Sequence, residues 1–130
     1  MNHSPGFLAL AEAARRVVRV CSAADVKNRI ERGDRFHFVD VREDREYAVD
    51  HATGARHLGR GIIERDIETE IPDHDAEIVL YCGGGYRSAL AAESLGKMGY
   101  RRITSMEGGI RAWREAGYPI EAGREDGRET

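Results

Sequence analysis

Cysteine is scarce in this chain of 130 residues: there are two, Cys21 and Cys82. That is too few to staple a small secreted domain with disulfides, so reduced thiols in a cytoplasm are expected. No apolar run approaches the roughly 20 residues that cross a bilayer. The first residues carry neither the basic start nor the small-residue cleavage site of a secretory signal. Neither sign of charge dominates. Twenty Lys and Arg against 23 Asp and Glu leave a formal charge of -3, which gives no global electrostatic case for nucleic acid or an anionic membrane as partner. Cys/His clusters at zinc spacing are missing, so no metal is expected, and there is no internal repeat. What is present is ordinary for a globular protein: 41% hydrophobic and 33% charged residues, at a length suited to one compact domain.

Strand and helix signals alternate along the chain. Residues 7–16, "FLALAEAARR", have Phe7, Leu10, Ala11 and Ala14 at helical spacing. "RVCS" reads as a short extended piece. Ser22 and Asp25 then have the spacing of a capping box, Val26 and Ile30 supply an apolar stripe, and Gly33 suits the left-handed end of that helix. "FHFVD" (36–40) reads as a strand, "EDREYAV" as a short helix, "ARHL" as a brief strand and "GIIERDIETEI" as a helical or irregular turn. "IVLY" (78–81) is apolar at every position, as a strand covered on both faces should be. "RSALAAESLGKMG" is a helix, "RITSM" a strand, and "GIRAWREAG" a helix closed by Gly117 with Pro119 beyond. This order predicts an α/β fold: a mainly parallel sheet flanked by helices on both faces, with an extra N-terminal helix. The expected organisation is a helical extension over 1–18, the domain proper over 19–121 and a disordered polar tail over 122–130.

One junction stands out. The strand 78–81 runs into Cys82, then Gly83, Gly84 and Gly85, then Tyr86 and an Arg87 that opens a helix. Parallel sheets carry their ligand sites at the carboxyl ends of strands. A helix start points unpaired N–H groups into the loop mouth, and glycines let those groups curl inward. A thiol held there loses its proton more easily, and Arg87 adds a permanent positive charge. A cysteine is more often a small hydrophobe than a nucleophile, but this placement reverses the odds. Loop length then narrows the chemistry. Cysteine phosphatases use C-x5-R to encircle a phosphate, whereas Cys82 to Arg87 is C-x4-R. The smaller ring of amides suits one extra sulfur atom better than a phosphoryl group.

These residues resemble a family, the rhodanese-like sulfurtransferases, over roughly residues 19–121. "FVDVRE" (38–43) is similar to the family's aliphatic-D-V-R segment, and "EYAVDHATGARHL" (46–58) to its E-Y-x-x-G-H-I-P-G-A block. "YCGGGYRS" matches its active loop, and "MEGGIRAWREAGYPI" (106–120) its closing G-G-x-x-x-W-x-x-x-G-x-P pattern. Asp50 replaces a glycine of that pattern and "AT" replaces I-P. The resemblance implies a parallel sheet with the active cysteine on a strand-to-helix loop. It also implies sulfane sulfur transfer without a cofactor: Cys82 takes sulfur from a small donor anion such as thiosulfate, then passes it to a thiophile. That acceptor could be cyanide, a thiol or a protein cysteine.

On this reading the amides from Gly83 through Tyr86 to Arg87 hold the anionic sulfur, and the Arg87 side chain steadies the incoming anion and the departing sulfite. Arg60 lies where the family has a wall of the entrance, against a default of a solvated arginine. Asp40 and Arg42 are expected to brace a turn as an ion pair, and His51 to be a hydrogen-bonding structural residue. Trp113 is expected in the core, and Cys21, with no glycine turn beside it, to be inert. No lysine or second arginine lies between Cys82 and Arg87, so the donor could equally be thiosulfate, a polysulfide or a protein persulfide. Two other functions stay open: a persulfide carrier that docks on a protein partner, and a cysteine phosphatase or arsenate reductase, disfavoured by the short loop.

Overall fold

A computed structural model describes residues 3–123. Five strands form one parallel sheet in the order β1-β6-β5-β2-β4. They are β1 (Arg19–Cys21), β2 (His37–Asp40), β4 (Arg56–His57), β5 (Glu77–Tyr81) and β6 (Arg102–Met106). Among the described residues six helices accompany them: α1 (Pro5–Val17), α2 (Ala23–Arg32), α3 (Asp44–Val49), α4 (Ile63–Glu70), α5 (Tyr86–Lys97) and α6 (Gly109–Glu115). The expected fold class is the observed one. None of these helices is long and apolar enough to cross a membrane.

The central strand shows why both faces are covered. Side chains alternate along a strand, so Ile78 and Leu80 point to one side and Val79 and Tyr81 to the other. The first pair packs with Ile63 and Ile67 of α4 and with Ala91, Ala92 and Leu95 of α5. The second packs with Ala23 and Val26 of α2 and with Ile110 and Trp113 of α6. Each fully buried Ile, Leu or Val contributes about 1.5–3 kcal/mol. Trp113 lies in the core as expected, and its indole N–H donates to the Pro119 carbonyl at 2.8 Å.

Local signals set the helix ends. Ser22 and Asp25 form the expected capping box on α2, and Gly33 closes that helix. Ser4 caps α1, with Pro5 in its first turn. Ala11 and Ala14 are fully buried, small enough to let α1 lie closely on α5, its principal neighbour. Leu10, expected on the same face, is 65% exposed: on the helix wheel it lies about 40° beyond Ala14 and about 100° from Ala11, at the edge of that contact. Ile30 of α2 is exposed too, although it shares the wheel face of the buried Ala23 and Val26; it stands in the last turn of the helix. Two short strands escaped the sequence reading, β3 (His51–Ala52) and β7 (Ile120–Glu121), which pair antiparallel in a separate ribbon. Of the expected disordered tail, residues 124–130 lie outside the described residues.

Candidate active site

All strands of the main sheet run parallel, so their carboxyl ends share one rim. Cys82 follows β5 on that rim, the sulfur held between a backbone donor and a hydroxyl. The Gly85 N–H donates to Cys82 Sγ at 3.1 Å, and the thiol lies 3.6 Å from the Ser88 hydroxyl. Ser88 Oγ in turn donates to the Gly85 carbonyl and pairs with Ser105 Oγ of β6 at 2.8 Å. Both serines are buried. Cys82 is itself 1% exposed and borders the apolar cluster of α4 and α5. The amide on its sulfur nevertheless marks a loop turned towards the thiol, not away from it. The first-turn amides of α5, those of Tyr86, Arg87 and Ser88, have no intrahelical acceptor by construction. No side chain caps this helix, and no acid stands in its first turn. Its dipole is therefore open to an anion.

The loop carbonyls face the opposite way because α6 takes them. The Ile110 N–H donates to the Cys82 carbonyl at 2.8 Å and the Arg111 N–H to that of Gly83 at 3.2 Å. This contact demands Gly109. A Cβ there would strike the Cys82 carbonyl oxygen and come within 2.7 Å of the Gly83 carbonyl carbon. Gly85 has φ +104, and a Cβ on it would stand 3.2 Å from the Gly108 nitrogen. The glycines of both motifs thus serve one interlock, in which α6 binds the carbonyls of Cys82 and Gly83 while the Gly85 N–H stays on the sulfur.

Arg87 lies over the loop, 3.0 Å from where a Gly83 Cβ would be, but it does not stand alone. Its guanidinium grips Glu46 of α3, Nη1 to Oε1 at 2.8 Å and Nη2 to Oε2 at 3.3 Å. The hydrogen bond from Arg87 is the main reason Glu46 sits below the usual carboxylate range, and Glu46 likewise raises Arg87. Sequence reading quoted Glu46 within a motif and gave it no role. It also missed Arg111, whose Nη2 reaches 3.6 Å from a Cβ built on Gly84. Arg111 follows the closing glycine pair by two residues, which was the available signal. The Tyr86 ring turns towards α1, with ring centroids 5.1 Å from His3 and 5.9 Å from Phe7. Arg15 of α1 sits 5.9 Å from the Tyr86 ring and donates to Glu107 at 2.9 Å.

The remaining candidates surround this centre. Asp40 and Arg42 form a buried fork, with Arg42 Nε and Nη2 on the carboxylate at 2.8–3.1 Å and Nη2 also on the Asp50 carbonyl at 2.6 Å. Burial opposes the Arg42 charge, but the hydrogen bonds and charge of Asp40 outweigh it and its pKa rises. His51 is buried, stacks on Tyr47 at 3.8 Å and places Nδ1 3.2 Å from the Tyr47 carbonyl. Arg60 pairs with Glu64 at 3.0 Å, and its Nε is buried without a partner; among the described residues no hydrogen bond or ion pair brings it to Cys82 or Arg87. Cys21, at the end of β1, has its thiol pushed up to about 11, chiefly by burial and then by the charge of Asp25.

Comparison with known proteins gives the same outline. Residues 22–116 match the family model described as a rhodanese-like domain. The thiosulfate sulfurtransferase GlpE of Pseudomonas fluorescens is 36% identical over 64% of this chain and 73% of its own length. GlpE of Vibrio cholerae is 33% identical over 66% of this chain and 79% of its own. A solved structure from Rhodopseudomonas palustris, described as a possible tyrosine phosphatase, is 32% identical with a TM-score of 0.78, covering 93% of this chain and 98% of that one.

Proposed function

The chain belongs to the rhodanese-like family, whose sulfurtransferase relatives carry sulfur transfer in general, and from that premise we propose a two-step transfer through a persulfide on Cys82. In the first step the Cys82 thiolate attacks the outer sulfur of a donor such as thiosulfate. The new S–S bond forms as the donor's own S–S bond breaks, and sulfite leaves with the electron pair. In the second step a thiophile attacks the outer persulfide sulfur, and the Cys82 thiolate is restored. With cyanide the product is thiocyanate, and both steps balance in charge without metal or cofactor. Small thiols and protein cysteines are acceptors of the same class.

The observation that carries this reading is the Gly85 N–H aimed at Cys82 Sγ, at the mouth of an uncapped helix. Amides from Gly83 to Arg87 would hold the outer sulfur as its charge develops, and in comparable sites each such donor is worth about 3 kcal/mol of barrier. Ser88 can rotate its hydroxyl from the Gly85 carbonyl to the sulfur once the thiol has lost its proton. The Asp40–Arg42 fork and His51 act by holding the neighbouring strand ends. Arg60, whose side chain is partly exposed and paired with Glu64, would line the entrance.

The test is mass spectrometry after incubation with thiosulfate. One added sulfur atom on Cys82, removable by cyanide, is the expected result. An unmodified Cys82 with thiosulfate and polysulfide alike would overturn it. The likeness to the Rhodopseudomonas palustris protein keeps a phosphatase as the second reading, against which the four-residue spacing of Cys82 and Arg87 counts. Release of phosphate from a generic ester, lost in Cys82→Ser, would favour it. A carrier would differ in rate alone, turning over slowly with small donors and quickly with its partner.

A further inference from the structure

We infer that Arg111, not Arg87, is the side chain that recognises the oxyanion end of the sulfur donor, and that the site is thereby fitted to donors bearing a sulfonate-like group; this deepens the sulfurtransferase reading and rests on it. Two guanidinium groups overlie the glycine loop. That of Arg87 lies against Gly83 and that of Arg111 against Gly84. Their electrical states differ. Arg87 is neutralised by the two-point contact with Glu46. A donor anion must compete for it with a carboxylate already in place, and Glu46 gives up its charge only below the usual carboxylate range.

Arg111 has no such companion among the described residues. Its backbone N–H is spent on the Gly83 carbonyl, which fixes the root of the side chain beside the loop. Its guanidinium reaches back over Gly84, a residue with no side chain to obstruct it. The acid best placed to claim it is Glu107, four residues earlier and next to Gly108. Glu107 is engaged by Arg15 of α1 at 2.9 Å. The N-terminal helix therefore removes the competing carboxylate and leaves one uncompensated cation at the mouth. A dianion of the thiosulfate kind places its inner sulfonate outward when its outer sulfur meets Cys82. That is the end a flexible guanidinium on the rim can fork. A polysulfide, whose charge sits on weakly accepting sulfur, offers Arg111 no oxyanion to fork.

The test titrates thiosulfate into Cys82→Ser protein, read by the amide shifts of Gly83 to Gly85. This variant cannot form a persulfide, so its result is independent of whether sulfur transfer occurs. Adding Arg111→Gln is expected to weaken binding about tenfold, adding Arg111→Lys only two- to threefold, and adding Arg87→Gln less than Arg111→Gln. Equal binding with and without Arg111→Gln would overturn the inference, as would a larger loss from Arg87→Gln or no thiosulfate binding in Cys82→Ser itself. If these hold while wild-type Cys82 gains no sulfur from thiosulfate, anion recognition stands and the transfer reading falls.

Discussion

The two cysteines occupy equivalent places and meet opposite fates. Cys21 ends β1 and Cys82 follows β5; both strands run parallel in one sheet, and each leads directly into a helix. At Cys21 the next residue is Ser22, whose hydroxyl takes the Asp25 N–H while the Asp25 carboxylate takes the Ser22 N–H, engaging two of the amides that α2 would otherwise offer. Burial, and after it the negative charge of Asp25, pushes the thiol up to about 11. At Cys82 three glycines replace the serine, no acid follows, and α5 begins uncapped with one amide on the sulfur. On the proposed function, the same strand-to-helix step is inert or reactive according to what fills the helix mouth. A capping box and a nucleophile compete for one set of N–H groups.

The sharpest way to break this comparison is to exchange the sulfurs. Cys82→Ser should abolish sulfur transfer, while Cys21→Ser should leave kcat/KM within about twofold. The next effect is structural. Gly109→Ala would drive a methyl into the backbone of Cys82 and Gly83 and should cost about 2–3 kcal/mol in urea denaturation, with loss of transfer activity. A milder perturbation is Ser88→Ala, which removes the hydroxyl beside the sulfur and should slow persulfide formation about tenfold in single-turnover measurements. The smallest effect belongs to the other junction. Iodoacetamide should label Cys21 slowly until the pH nears 11. Asp25→Asn removes a charge that raises this pKa, so its labelling curve should move to lower pH. The same shift has a stability counterpart. A thiol raised from 9.0 favours the folded state fully below pH 9 and loses that contribution as the pH climbs through about 11.

Local patterns were the legible part of the sequence. The apolar run of β5, the capping box of α2 and the glycine loop each announce themselves within a few neighbouring residues, and each stands where expected. The Asp40–Arg42 fork was foreseeable for the same reason, since its members are two apart. Leu10 and Ile30 were misjudged because a helix wheel shows which residues share a face but not how wide the buried stripe is or how far it runs along the axis. The β3–β7 ribbon joins pieces about 70 residues apart, and two-residue strands leave almost no periodic signal. Glu46 and Arg111 were invisible as site residues on the same ground. One arrives from α3 and one from α6, and only the topology brings them to Cys82. Sequence singled out the candidate nucleophile; its electrostatic company came from elsewhere in the chain.

The grip of α6 on the Cys82 and Gly83 carbonyls bears on how the molecule is made. During synthesis Cys82 emerges well before Gly109, Ile110 and Arg111, so a ribosome-bound chain that stops short of them holds a thiol without its cradle. On the proposed function, reactivity waits until α6 has docked against the loop. A copy halted before that helix would carry an ordinary cysteine, and the sulfur would be armed only when α6 arrives.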